Sequence, residues 1–209
     1  MKYASITTIM SSLLLLSACS LFKSKEDTPQ VYLLRPAPAS GAVAVPGVLT
    51  VLRPSVQPGL DTDLIMLTRG QELDHFAGSR WGETLPRVIA TLAVQSLAGG
   101  GGFANVAEAG RAGVASDFEM TLTARHFEAA YESLALAPVV QVAFDCTLTG
   151  GTPRRVLGRC DATASEPAEA NRMGAIAAAL EKAAQRAMGE VRSKAVAAAN
   201  AATTGAAAR

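Results

Sequence analysis

The chain is poor in nearly everything that catalysis uses. Its 209 residues contain two histidines, His75 and His126, and three cysteines, Cys19, Cys146 and Cys160. No H-E-x-x-H, paired C-x-x-C or G-x-S-x-G spacing occurs, so these zinc, thiol and serine-nucleophile chemistries lack their usual frames. Gly78-Ser79-Arg80-Trp81-Gly82 resembles the last of these only superficially. Ser20-Leu21-Phe22-Lys23 fits S-x-x-K, but in a polar stretch with nothing around it to build a pocket. The run Gly99–Gly102 lacks the following Lys-Ser/Thr of a phosphate loop and comes after a helical pattern, where glycine acts as a stop. Asp61, Asp63, Glu72 and Asp74 form no constellation, and both histidines read as strand residues. The expectation is a protein with no catalytic residues, no metal site and no cofactor. Aromatics make up only 5% of the chain, with Trp81 the single tryptophan. Formal charge is +1 and no basic cluster is large enough to track a phosphate backbone, which argues against nucleic acid. The apolar run Ile9–Leu16 falls well short of the roughly 20 residues that span a bilayer.

That short run has another meaning. It follows Lys2 and leads into Leu16-Ser17-Ala18-Cys19, the sequence of a basic start, an apolar core and small residues at a cut. The cysteine directly after Leu-Ser-Ala matches the bacterial lipobox. A lipobox implies a diacylglycerol thioether on Cys19, cleavage before it, and acylation of the new amino terminus, typically by palmitate. The alternative is a plain secretory signal with a cysteine nearby by chance. Several acyl chains, at roughly 0.8 kcal/mol per buried methylene, would hold the mature chain on a membrane almost permanently. Ser20, rather than aspartate, follows the cysteine and favours the outer membrane, facing the periplasm. The expected organisation is a signal peptide over 1–18, a tether over 19–30, one domain over 31–195 and a low-complexity tail over 196–209.

Within the domain, Val31-Tyr32-Leu33-Leu34 reads as a first strand stopped by Arg35-Pro36. Val48–Leu52 is apolar on both parities and reads as a central strand. Residues 64–68 and 72–76 read as a hairpin across Arg69-Gly70-Gln71. Trp81, Leu85, Val88, Ile89 and Leu92 share one face of a 3.6-residue period. Ser79 could cap that helix, but Pro86 would then lie inside it. Thr84 as cap, with Pro86 in the first turn and Arg80-Trp81-Gly82 as an entry turn, fits better. From the glycine run to about Ser116 a loop is expected. Alternation over Phe118–Arg125 predicts a half-buried strand, and Val139–Thr149 and Arg155–Ser165 predict two more. Glu166-Pro167 is expected to open a long helix with Met173, Ile176, Leu180, Ala184 and Met188 on its stripe, fraying from about Ala197. The order of elements predicts an α+β, two-layer sandwich: a mostly antiparallel or mixed sheet with two helices packed on one face.

The last two strands allow a test of register. If Cys146 lies opposite Cys160, then Phe144 faces Ala162, Val142 faces Ala164 and Leu148 faces Gly158, all apolar or small. The other parity carries Asp145, Thr147, Arg159, Asp161 and Thr163. A slip of one residue would turn one strand inside out. With Cys19 assigned to lipid, Cys146 and Cys160 remain as a pair in an oxidising compartment. A disulfide between them is expected; the alternative is two small buried thiols. Trp81 has two readings as well, a core anchor for the helix or part of a partner surface, where tryptophan is enriched.

The succession of lipobox, Val31-Tyr32-Leu33-Leu34, Pro58-Gly59-Leu60-Asp61, Leu64-Ile65-Met66, Leu73-Asp74-His75-Phe76 and Arg80-Trp81-Gly82-Glu83-Thr84-Leu85-Pro86 resembles the ABC-type transport auxiliary lipoproteins. That family includes the lipoprotein of the paraquat-inducible Pqi system. The resemblance covers residues 19 to about 190 and is most specific at Arg80-Trp81. It implies an outer-membrane lipoprotein partnered with an MCE-domain protein of an ABC transport system, which moves lipid between membranes, and it carries over no catalytic residues. Two other roles are compatible with a small envelope domain. One is activation or assembly of another envelope complex; the other is direct lipid carriage, which would need an elongated internal cavity.

Overall fold

The longest strand organises the sheet. In a computed structural model describing residues 28–39, 41–110 and 115–207, the strands are β1 (Gln30–Tyr32), β2 (Val45–Val51), β3 (Ser55–Val56), β4 (Leu64–Arg69), β5 (Glu72–Trp81), β6 (Phe103–Glu108), β7 (Phe118–Tyr131), β8 (Val139–Gly150) and β9 (Arg155–Pro167). The helices are α1 (Leu85–Leu97) and α2 (Met173–Ala207). One edge of β7 pairs antiparallel with β8, which pairs antiparallel with β9. The other edge takes three strands in succession, all parallel to it. β2 meets Phe118–Met120, β3 meets Thr123–Ala124 and β4 meets Ala129–Tyr131. Pro54 and Pro58-Gly59 break what would otherwise be one long neighbour into these pieces. β6 extends the sheet beyond β2, while β5 and then β1 extend it beyond β4. The result is a mixed sheet with both helices on one face, as the order of elements predicts.

Alternation along β7 changes parity partway. Met120, Leu122 and Ala124 are buried, and then Phe127, Ala129 and Tyr131. A bulge between Ala124 and His126 supplies the extra residue that keeps both halves facing the core. Glu128, on the opposite parity, is buried as well, and its carboxylate accepts hydrogen bonds from the Phe127 N–H at 2.5 Å and from His126 Nδ1 at 2.7 Å. Across β8 and β9 the register is the one the side-chain pattern dictates. Phe144 lies opposite Ala162, Cys146 opposite Cys160 and Leu148 opposite Gly158. Gly158 matters for a second reason: a Cβ there would stand 2.8 Å from the Cβ of Ala198, so its absence lets α2 settle onto β9.

Helix α1 begins as expected after Thr84, with Pro86 in its first turn. No side chain caps it; the Leu85 N–H donates instead to the Thr62 carbonyl at 2.9 Å. Four expectations change. Arg80-Trp81-Gly82 is not an entry turn, because β5 runs on through Trp81. The stretch after the glycines is not all loop, because Phe103–Glu108 forms an edge strand parallel to β2. Pro167 does not open the long helix; it ends β9 opposite Val139, and α2 starts at Met173. On β9 the carbonyls of Asp161 and Ser165 face away from β8, and Lys194 and Arg186 of α2 donate to them. Pro167 has the same parity, so its missing N–H falls on the open edge, where proline is tolerated. The same two cations blunt that edge against pairing with another chain. Finally, the alanine-rich tail continues α2 to Ala207, and Ala199 is buried against the domain rather than frayed.

Trp81 is 2% exposed and stands edge-on to Phe127, ring centroids 5.9 Å apart. Phe127 in turn meets Phe144 at 6.3 Å, so three rings tie β5, β7 and β8 together beneath the helices.

Candidate docking surface

The pairing of β1 with β5 brings two distant segments side by side. Val31 lies opposite Arg80, and Tyr32 opposite Trp81. Tyr32 and Leu34 turn inward onto the core, while Val31 and Leu33 remain 58% and 73% exposed. Gly82 makes room for this arrangement. A Cβ on it would meet Leu33 Cδ2 at 3.1 Å and Val31 Cγ1 at 3.6 Å, so the two aliphatic chains lie over bare backbone. Beside them a groove of about 230 Å³ runs between Leu33, Leu34 and the Val88 and Thr91 side of α1, with Glu83 and Arg87 at its rim. The wall is held in place. The Arg35 N–H donates to Glu181 Oε2 at 3.0 Å, and Gln185 Nε2 donates to the Arg35 carbonyl at 2.9 Å. Arg80 pairs with Asp63 at 3.3 Å and Arg87 with Glu108 at 2.5 Å.

A second apolar display sits at the turn from β7 to β8. Leu134, Leu136 and Val139 are exposed, yet their backbone is pinned. Asn171 Nδ2 donates to the Leu134 carbonyl at 2.8 Å, and the Tyr131 hydroxyl donates to Asn171 Oδ1 at 2.6 Å. Burial raises the Tyr131 pKa above the usual tyrosine value, which keeps that hydroxyl a donor. Ala168 N–H closes the turn onto the Pro138 carbonyl at 2.9 Å. The turn thus holds two leucines out in solvent on fixed backbone.

The sequence-derived candidates fall in different places. Cys19 lies outside the described residues. Trp81 is a core residue, so its indole offers nothing to a partner; the exposed aliphatics beside it do. Cys146 and Cys160 lie directly opposite each other as a disulfide pair, Cα to Cα 5.0 Å, buried between β8, β9 and α2. His75 is exposed beside Asp74, and His126 is engaged with Glu128. Among the described residues no group of three or more His, Cys, Asp and Glu could hold a metal, and no helix is long and apolar enough to cross a membrane. The space beneath α2 around Cys146 and Gly158 amounts to about 10 Å³. Ligand pockets run to roughly 300–1,000 Å³. A wider, open cleft of about 380 Å³ is edged by Thr152, Arg154 and Arg155 near the end of α2.

The described residues thus form a filled two-layer domain with apolar side chains displayed on fixed backbone. The chain belongs to the ABC-type transport auxiliary lipoprotein family, whose model matches residues 32–191. Among solved structures it is similar in fold to protein XCC0632 from Xanthomonas campestris, with a TM-score of 0.73 and 22% identity over 84% of this chain and 99% of that one. An uncharacterised protein shares the fold at a TM-score of 0.59 and 12% identity, over 79% of this chain and 97% of that chain. No curated protein matches.

Proposed function

We propose that the protein is an outer-membrane lipoprotein acting as the accessory subunit of an MCE-type ABC lipid transport system, docking a periplasmic conduit to the outer membrane. Family membership over residues 32–191 carries this reading. The lipobox at Cys19 and the serine that follows it support the location. The packed interior supports a role in positioning rather than turnover, and counts against lipid carriage within the domain. The anchor fixes the subunit in one leaflet, and the Leu134–Leu136 turn is a suitable surface for the protein partner. The test is capture of the lipidated chain from membranes by mild crosslinking, followed by identification of what is bound. Recovery of an MCE-domain protein with its transporter is expected. Recovery of a cell-wall synthase or an outer-membrane assembly complex instead would favour the activator or adaptor role and overturn this one.

A further inference from the structure

We infer that the β1–α1 corner, with Val31 and Leu33 at its crest, is the face that rests on the phospholipid bilayer. This rests on the reading of Cys19 as the lipid anchor. The first described residue is Thr28, and at 3.3–3.6 Å per residue the segment from Cys19 can span no more than about 32 Å. A compact domain of this size is about 40 Å across. The tether is therefore too short to let the exit side of the domain turn away from the headgroups. Leu33 is five residues beyond that exit and, among the described residues, is the most exposed of the large aliphatic side chains. Val31 stands beside it over Gly82, so the two form a continuous ridge.

Cation placement agrees with a bilayer as occupant. Arg35 is exposed next to the ridge and forms no ion pair among the described residues, while its backbone is fixed to α2. A guanidinium in that position can reach headgroup phosphates while the aliphatic ridge enters the interface. Tethering also makes the contact intramolecular in effect, so a patch too small to recruit the domain from solution is still held against the surface. The Leu134–Leu136 turn is left for a protein.

The experiment uses the full lipidated chain carrying Leu33→Cys, labelled with an environment-sensitive dye and reconstituted in vesicles of phosphatidylethanolamine and phosphatidylglycerol. Thr121→Cys, on the open face of the sheet, is the control. A blue shift at position 33, with loss of emission to brominated acyl chains and no change at 121, is expected. Val31→Asp in the same labelled chain should return the signal toward that in water. Mass analysis of the N-terminal peptide separates the two possible failures. If Cys19 is acylated and the label at 33 stays water-exposed, the bilayer contact is wrong and the anchor reading stands. Shielding that requires a co-reconstituted transport partner would equally overturn it, in favour of a protein occupant. If Cys19 carries no lipid, the anchor fails and the contact with it.

Discussion

The two sides of the sheet are built on different principles. The β8–β9–α2 side is closed. Three long elements interlock through small residues, with Gly158 against Ala198 and a buried row of Ile176, Leu180, Ala184, Met188 and Val191. The cysteine pair lies inside it, and helix cations cover its edge carbonyls. The β1–β5–α1 side is open. Its last strand has three residues, its groove is apolar and unfilled, and its two most prominent side chains point outward. The first region spends its sequence on holding itself together, and the second leaves apolar surface for something else. The Trp81–Phe127–Phe144 chain of rings joins one to the other through the core, and the bonds of Glu181 and Gln185 to the Arg35 backbone join them at the surface.

Cutting that link should have the largest effect. Phe127→Ala removes the shared ring and is expected to cost about 3–5 kcal/mol, read as a drop in urea midpoint. If it costs less than a surface change, the rings do not join the two sides. Replacing both Cys146 and Cys160 by serine opens a loop of separation 14 and should cost roughly 3 kcal/mol, confined to the closed side. Wild type in strong reductant should show the same loss. Glu128→Gln leaves the bulge with a weaker acceptor and should cost about 1–3 kcal/mol by the same assay. Leu33→Ser, at the open corner, should change stability by no more than about 0.5 kcal/mol, because the side chain has almost no burial to lose. A large loss there would mean the corner is structural after all.

The closed side was also the more legible one in the sequence. Parity and the cysteine positions agree on one register for β8 and β9, because each odd residue that is polar must face away from a buried even one. The α2 stripe and Thr84 with Pro86 were readable for similar local reasons. The misses share a cause: tertiary context decided them. Phe103–Glu108 is an edge strand behind four glycines, and its partner β2 is more than fifty residues earlier. Glu166-Pro167 is a plausible helix start until the open edge of β9 gives that proline a place. The bulge in β7 hides Phe127 and Tyr131 from a simple alternation. Of the candidate surface, Val31–Leu34 and Arg80–Gly82 are distinctive in the sequence, but only the β1–β5 pairing makes them neighbours. Trp81 is the sole tryptophan but faces the core, whereas the outward-facing residues are Val31 and Leu33.

Anchorage is where the account can be tested most directly. Cys19→Ser should leave the domain folded, with an unchanged denaturation midpoint, yet release it from outer-membrane fragments and abolish its support of the envelope barrier. An unacylated Cys19→Ser chain that still sediments with the outer membrane and fully restores the barrier would contradict the account.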